Sequence, residues 1–193
     1  MKWVLRIAGG FAALLVIGAA VLLALGHRVD AGRVHVSTEI NASAQQLWPW
    51  LNDQDKLKQW ITWLVEIRPA EVRQDRSRTG VGTKQVWVMR DENNRGQLME
   101  MEGTFTEYQP PLRESVRISS AGMFDGQQTY IVENLGAGRA RLNIDGTYRY
   151  AQWFAALMEP LITPAAEKKL RQDVARLKAL VEKEKNGTAS SAF

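Results

Sequence analysis

Side chains able to do chemistry are few in this chain, and they do not cluster. There are two histidines, His27 and His35, and no cysteine. The lack of cysteine removes disulfide scaffolding, thiol catalysis and cysteine-ligated zinc or iron–sulfur sites. His27 closes an apolar run, and His35 lies on a strand-like segment where alternation sets it opposite Val34 and Val36. No nucleophile–histidine–acid set, HExxH, P-loop or GxGxxG is present. Glu100 and Glu102 alternate with Met99 and Met101, so both carboxylates share one face, expected to be exposed. A metal site needs several convergent ligands, and none are visible. The pattern predicts no catalytic residue, no metal and no cofactor.

The elements that would position any site begin with a break near residue 27. From Ile7 to Gly26 there is no charged residue. A helix of about 20 residues spans roughly 30 Å, the thickness of a bilayer's hydrocarbon core. Lys2 and Arg6 flank the run on one side, with Trp3 suited to the interface. The length favours an uncleaved signal-anchor, a single-pass membrane segment with the bilayer as partner. A cleaved signal peptide, with Ala24-Leu25-Gly26 as its site, and a buried core helix are the alternatives. The positive-inside rule slightly favours a cytoplasmic N-terminus and an extracytoplasmic domain.

The remainder is long enough for one domain with a real core. The formal net charge is +4, with basic residues scattered among acidic ones, so no nucleic-acid surface is indicated. The expected organisation is an anchor over 1–27, a linker over 28–33, a domain over 34–185 and a disordered tail over 186–193.

Val34–Ile40 alternates and is rich in β-branched residues, as a strand does. Ser43-Ala44-Gln45-Gln46 is a capping box that opens a short helix through Leu47, Trp48 and Leu51, with Pro49 in its early turns. Asn52-Asp53-Gln54-Asp55 reads as a turn and second cap. A second short helix from Lys56 sets Leu57, Trp60, Ile61 and Leu64 on one face. Strand-like segments follow at Val65–Arg73, Gly82–Arg90, Gln97–Tyr108, Leu112–Ser120, Phe124–Leu135 and Arg139–Tyr150, separated by turn signals that indicate an antiparallel meander. In the last of them Ala140, Leu142, Ile144, Tyr148 and Tyr150 point one way, and the alternate polar residues point the other. A helical lead-in from Ala151 is expected to break at Pro160. Thr163-Pro164 restarts it, a stripe of Leu170, Val174, Leu177 and Val181 faces the core, and Asn186-Gly187 caps it.

This order resembles the START-like, helix-grip superfamily, which includes the polyketide cyclase/dehydrase and lipid-transport group. The matching residues are Val36-Ser37-Thr38-Glu39-Ile40-Asn41-Ala42-Ser43-Ala44-Gln45-Gln46-Leu47-Trp48, then Trp60, the turn Gly80-Val81-Gly82-Thr83, and the closing 173–182. The likeness covers about 34–184. It implies an α+β fold: a curved antiparallel sheet of about seven strands wrapped around a long C-terminal helix, with two short helices after the first strand.

The resemblance also implies a cavity for a lipid or other hydrophobic small molecule. Read by alternation, its walls are Met99, Met101, Phe105, Val116, Ile118, Tyr130, Val132, Leu142, Ile144, Tyr148 and Tyr150 from the sheet. The helix side supplies Phe154, Leu157, Leu161, Leu170, Val174 and Leu177, with Trp60 and Trp63 in the core or at the mouth. Plain core packing is the competing expectation for each. Tyr130, Tyr148 and Tyr150 would hydrogen-bond a ligand's polar group. The expected role is a membrane-tethered binding protein. The alternatives are a cyclase or dehydrase using the same cavity, and an interaction module working through the sheet's outer face.

Overall fold

In the computed structural model, residues 13–21, 32–70, 79–91, 95–151 and 159–190 are described. Residues 13–21 form a helix, α1, with exposed side chains. The domain then runs β1 (Gly32–Ile40), α2 (Ala44–Asn52), α3 (Gln54–Trp60), β2 (Leu64–Pro69), β3 (Lys84–Asp91), β4 (Gln97–Gln109), β5 (Arg113–Ser120), β6 (Phe124–Gly136), β7 (Arg139–Tyr150) and α4 (Glu159–Ser190). The seven strands form one antiparallel sheet in the order β1-β7-β6-β5-β4-β3-β2. Consecutive strands from β2 to β7 are neighbours, as short turns demand. Only β1 pairs out of sequence, with β7, from Gly32 opposite Tyr148 to Ile40 opposite Ala140.

Local chemistry accounts for the two short helices. The Ser43 hydroxyl accepts from the Gln46 amide, and the Gln46 side chain accepts from the Ser43 amide, so the capping box is complete. Asp53 caps α3 by accepting from the amides of Asp55 and Lys56. Leu47, Trp48, Trp50, Leu51, Leu57 and Trp60 are all buried, so the pair plugs one end of the sheet. The Trp60 indole, 1 % exposed, donates to the Trp50 carbonyl at 2.8 Å.

Helix α4 departs from expectation at both ends. It is continuous from Glu159, with Pro164 inside it, so Thr163 is not an N-cap. Pro160 lies in the first turn, where a missing N–H costs nothing. The Thr163 hydroxyl instead bridges Glu159 Oε1 and Tyr148 Oη, each at 2.5 Å. At the other end the helix runs through Asn186-Gly187 to Ser190. A single glycine weakens a helix by about 1 kcal/mol but does not end it.

The rest of the expected span, 1–12 and 22–27, lies outside the described residues, as do most of the lead-in after Ala151 and the last three residues. Among the described residues no helix is long and apolar enough to cross a membrane.

Candidate functional site

The sheet's inner face differs between its two ends. At the plugged end Phe105, Val116, Tyr130, Val132, Leu142 and Ile144 are buried, and Val174, Leu177 and Val181 of α4 are buried with them. Trp48 of α2 lies against Tyr108, with ring centroids 5.8 Å apart. Gly103 has no side chain between Trp87 and Val116; a Cβ there would sit 3.2 Å from each. The C-terminal half of α4 is stapled to this end. The Asn41 amide donates to Glu182 at 2.8 Å, Lys178 donates to the Glu39 carbonyl at 2.7 Å, and both Trp50 and Lys56 donate to Glu184.

At the opposite end the same strands carry half-buried side chains: Met99 on β4, Ile118 on β5, Phe124 on β6, and Tyr148 and Tyr150 on β7. Leu170 of α4 is half-buried too, and Leu161 is 57 % exposed. A groove of about 620 Å³ at this end runs over the outer face beside Glu100, Glu102, Arg117 and Arg149, and its rim reaches Phe124 and Tyr150. The N-terminal half of α4 is held here by the Tyr148–Thr163–Glu159 relay. Burial raises the pKa of both tyrosines, and their mutual proximity raises that of Tyr150 further.

The expected wall residues therefore divide between the two ends. Trp60, Phe105, Val116, Tyr130, Leu142, Ile144, Val174 and Leu177 are sealed in the plugged half, and Met101, level in register with Phe124 and Tyr150, is buried in the open half. Met99, Ile118, Tyr148, Tyr150 and Leu170 lie in the open half. Trp63 is half-buried in the turn before β2, where its indole donates to Asp173 Oδ2 at 3.1 Å. Thr62 donates to Oδ1 of the same carboxylate at 3.0 Å, yet burial raises the Asp173 pKa. Phe154 and Leu157 lie outside the described residues.

Two polar side chains escaped the sequence reading. Glu114 opens β5, paired with Tyr108 on β4 and Tyr130 on β6, and is 2 % exposed. Burial pushes its pKa up to about 8, opposed by a hydrogen bond from Asn52. Asn52 ends α2, and its amide nitrogen donates to the Trp48 carbonyl at 3.4 Å. Glu114 Oε2 and Asn52 Oδ1 are buried and have no hydrogen-bond partner among the described residues. Both line a void of about 10 Å³, about the room of one water molecule. Parity was the available signal, because Glu114 lies two residues before the inward Val116.

The outer face is wet and charged. Cross-strand pairs include His35 with Asp145 at 2.7 Å, Arg141 with Glu39 at 2.6 Å and Arg117 with Asp125 at 2.6 Å, and Arg68 pairs with Glu100. No cluster of His, Asp or Glu able to hold a metal occurs among the described residues.

Residues 31–182 match the family described as "Polyketide cyclase / dehydrase and lipid transport". No curated protein sequence matches the chain. Among solved structures, a START superfamily protein from Mycobacterium smegmatis is similar at TM-score 0.63 and 16 % identity, over 78 % of this chain and 97 % of that one. A conserved protein from Geobacillus kaustophilus is similar at TM-score 0.62 and 11 % identity, over 78 % and 95 %. The di-domain ARO/CYC protein BexL of the BE-7585A biosynthetic pathway matches at TM-score 0.59 and 18 % identity, over 78 % of this chain and 46 % of that one. At these identities the likeness is one of fold.

Proposed function

We infer that this chain, which belongs to the polyketide cyclase / dehydrase and lipid transport family, binds a lipid or other hydrophobic small molecule between α4 and the inner face of its sheet. One observation carries the reading: Met99, Ile118, Phe124, Tyr148, Tyr150 and Leu170 stay partly exposed on the inner face, whereas most inward residues of the plugged end are buried. Apolar side chains left partly wet on the concave side of a sheet suit a ligand that completes their burial. The outer face, crossed by ion pairs, offers less to an apolar partner.

Tethering belongs to the same reading. The uncharged run Ile7–Gly26 acts as the anchor, and the domain lies on the extracytoplasmic side. Strand β1 begins at Gly32 opposite Tyr148, so the chain enters the domain at its open end. A membrane segment just upstream therefore holds that end toward the lipid, which suits carriage, sensing or presentation of a molecule drawn from the bilayer.

The test is mass spectrometry of the solvent extract of the gently purified full chain, compared with a mock purification. A stoichiometric apolar molecule is expected. A chain that is empty, and that takes up no apolar fluorescent probe, overturns the reading. Carbonate extraction of membranes checks the tether: the full chain should stay with lipid, and a chain lacking residues 1–27 should not.

A further inference from the structure

Most of the plugged end is dry and apolar, but Glu114 and Asn52 are not satisfied within it. Their unpartnered oxygens face one void, shared with the apolar Leu57, Trp87 and Phe105 and with the polar Gln54, Thr79 and Gln85. An unmade hydrogen bond at a buried polar atom is costly, so such a pair calls for a partner. Of the groups lining the void, only Glu114 and Tyr130 titrate, and no cation lines it among the described residues. Tyr130 is buried and accepts from Gln128 at 2.8 Å, and Gln128 is the next inward residue toward the open end. The polar atoms therefore continue from the void in the direction of the half-exposed face.

We propose that Glu114 and Asn52 form a docking point for one uncharged hydroxyl, the polar end of an otherwise apolar ligand whose body lies along the inner face. This rests on the binding role inferred above and specifies its ligand class. With no cationic partner among the described residues, buried Glu114 holds its proton near neutral pH and is a donor. Asn52 Oδ1 can only accept. A hydroxyl accepts from the first and donates to the second. A ketone or ether oxygen satisfies Glu114 and leaves Asn52 unmet. A carboxylate or phosphate brings a second anionic acceptor beside a carboxyl. An ammonium brings three protons to two free oxygens in a space of about 10 Å³. Room for one water is also room for one hydroxyl.

The experiment uses the full chain and four probes of equal chain length: dodecan-1-ol, its methyl ether, dodecanoic acid and dodecylamine. Binding is read by displacement of an apolar fluorophore. Dodecan-1-ol should bind at least about tenfold more tightly than the ether, the order expected of one buried hydrogen bond with a partner left unpaired. Glu114→Gln, which keeps a donor and an acceptor in the same volume, should retain most of that preference, and Asn52→Leu should bring the ratio near one.

An infrared reading covers the case in which Asn52→Leu does not fold. The C=O stretch of protonated Glu114, assigned by its loss in Glu114→Gln, should shift when the alcohol binds and stay fixed with dodecane, which offers no acceptor. Equal binding of alcohol and ether, with no shift, overturns the docking point while leaving the binding role intact. A resident water or a Glu114–Asn52 pair sufficient to itself would give that result. Preference for the acid or the amine overturns the hydroxyl assignment. Failure of all four probes to bind counts against the binding role itself.

Discussion

The two ends of this domain are made of the same strands and the same helix, yet they are built to different standards. At the plugged end α2 and α3 seal the sheet, α4 is held by several hydrogen bonds, and Leu142, Ile144 and Leu177 are 0 % exposed. At the open end α4 is held by a short relay through Thr163, and its apolar neighbours remain half exposed. Under the proposed binding role, the difference separates stability from recognition. One end concentrates the burial that keeps the domain folded, and the other keeps apolar surface available.

The sharpest challenge to this contrast is pH, because the plugged end contains an acid. The unfolded chain releases the Glu114 proton near the ordinary 4.5, whereas the folded chain holds it to about 8. Between those values the folded state binds more protons, so stability falls as pH rises and levels off above 8. The span corresponds to about 5 kcal/mol at about 1.4 kcal/mol per pH unit, an upper bound that relaxation will reduce. Urea midpoints from pH 4 to 9 should show this fall in the wild type and a flatter course in Glu114→Gln. Parallel courses would mean that the carboxyl is not held protonated by its surroundings.

Two leucines on one helix probe the packing difference directly. Leu177→Ala should cost about 2–5 kcal/mol and Leu170→Ala less than about 1.5 kcal/mol, measured by chemical denaturation. Equal losses would erase the distinction between the ends. Asp173→Ala should cost about 1 kcal/mol, because the half-buried Trp63 indole loses its acceptor, which would show as a change in tryptophan emission. An effect of similar size belongs to the open end: Tyr148→Phe removes the link to Thr163 and should cost about 1 kcal/mol. Apolar-probe affinity should respond to Tyr148→Phe and not to Asp173→Ala; the reverse would move the binding surface elsewhere.

Much of the fold was legible because alternation leaves a period-two trace. Arg139–Tyr150 was delimited as a strand to the residue, and the Ser43 capping box was visible as a pattern. The prolines misled. Pro160 and Pro164 look like a break and a restart, but the first-turn position of Pro160 lets the helix run unbroken. The pair at the plugged end was missed for a physical reason. Glu114 is charged in water, so its type argues for the surface even as its parity with Val116 argues for the interior. Asn52 sits among turn-forming residues whose side chains usually face solvent. Only the three-dimensional approach of α2 to β5 puts the two beside one void.

The pairing of β1 with β7 bears also on how the chain folds. Ile40 meets Ala140, and Gly32 meets Tyr148, across 99 and 115 residues of intervening sequence. Contacts of such separation must pay loop-closure entropy before they return any stabilisation, which places the domain among slow-folding topologies. During synthesis the first strand waits without its sheet partner until β7 has been made, and α4, which packs on β1, follows later still. A chain held at a membrane by its leading segment would spend that interval beside the bilayer with β1 unpaired, so lipid could meet the inner face before the helix covers it.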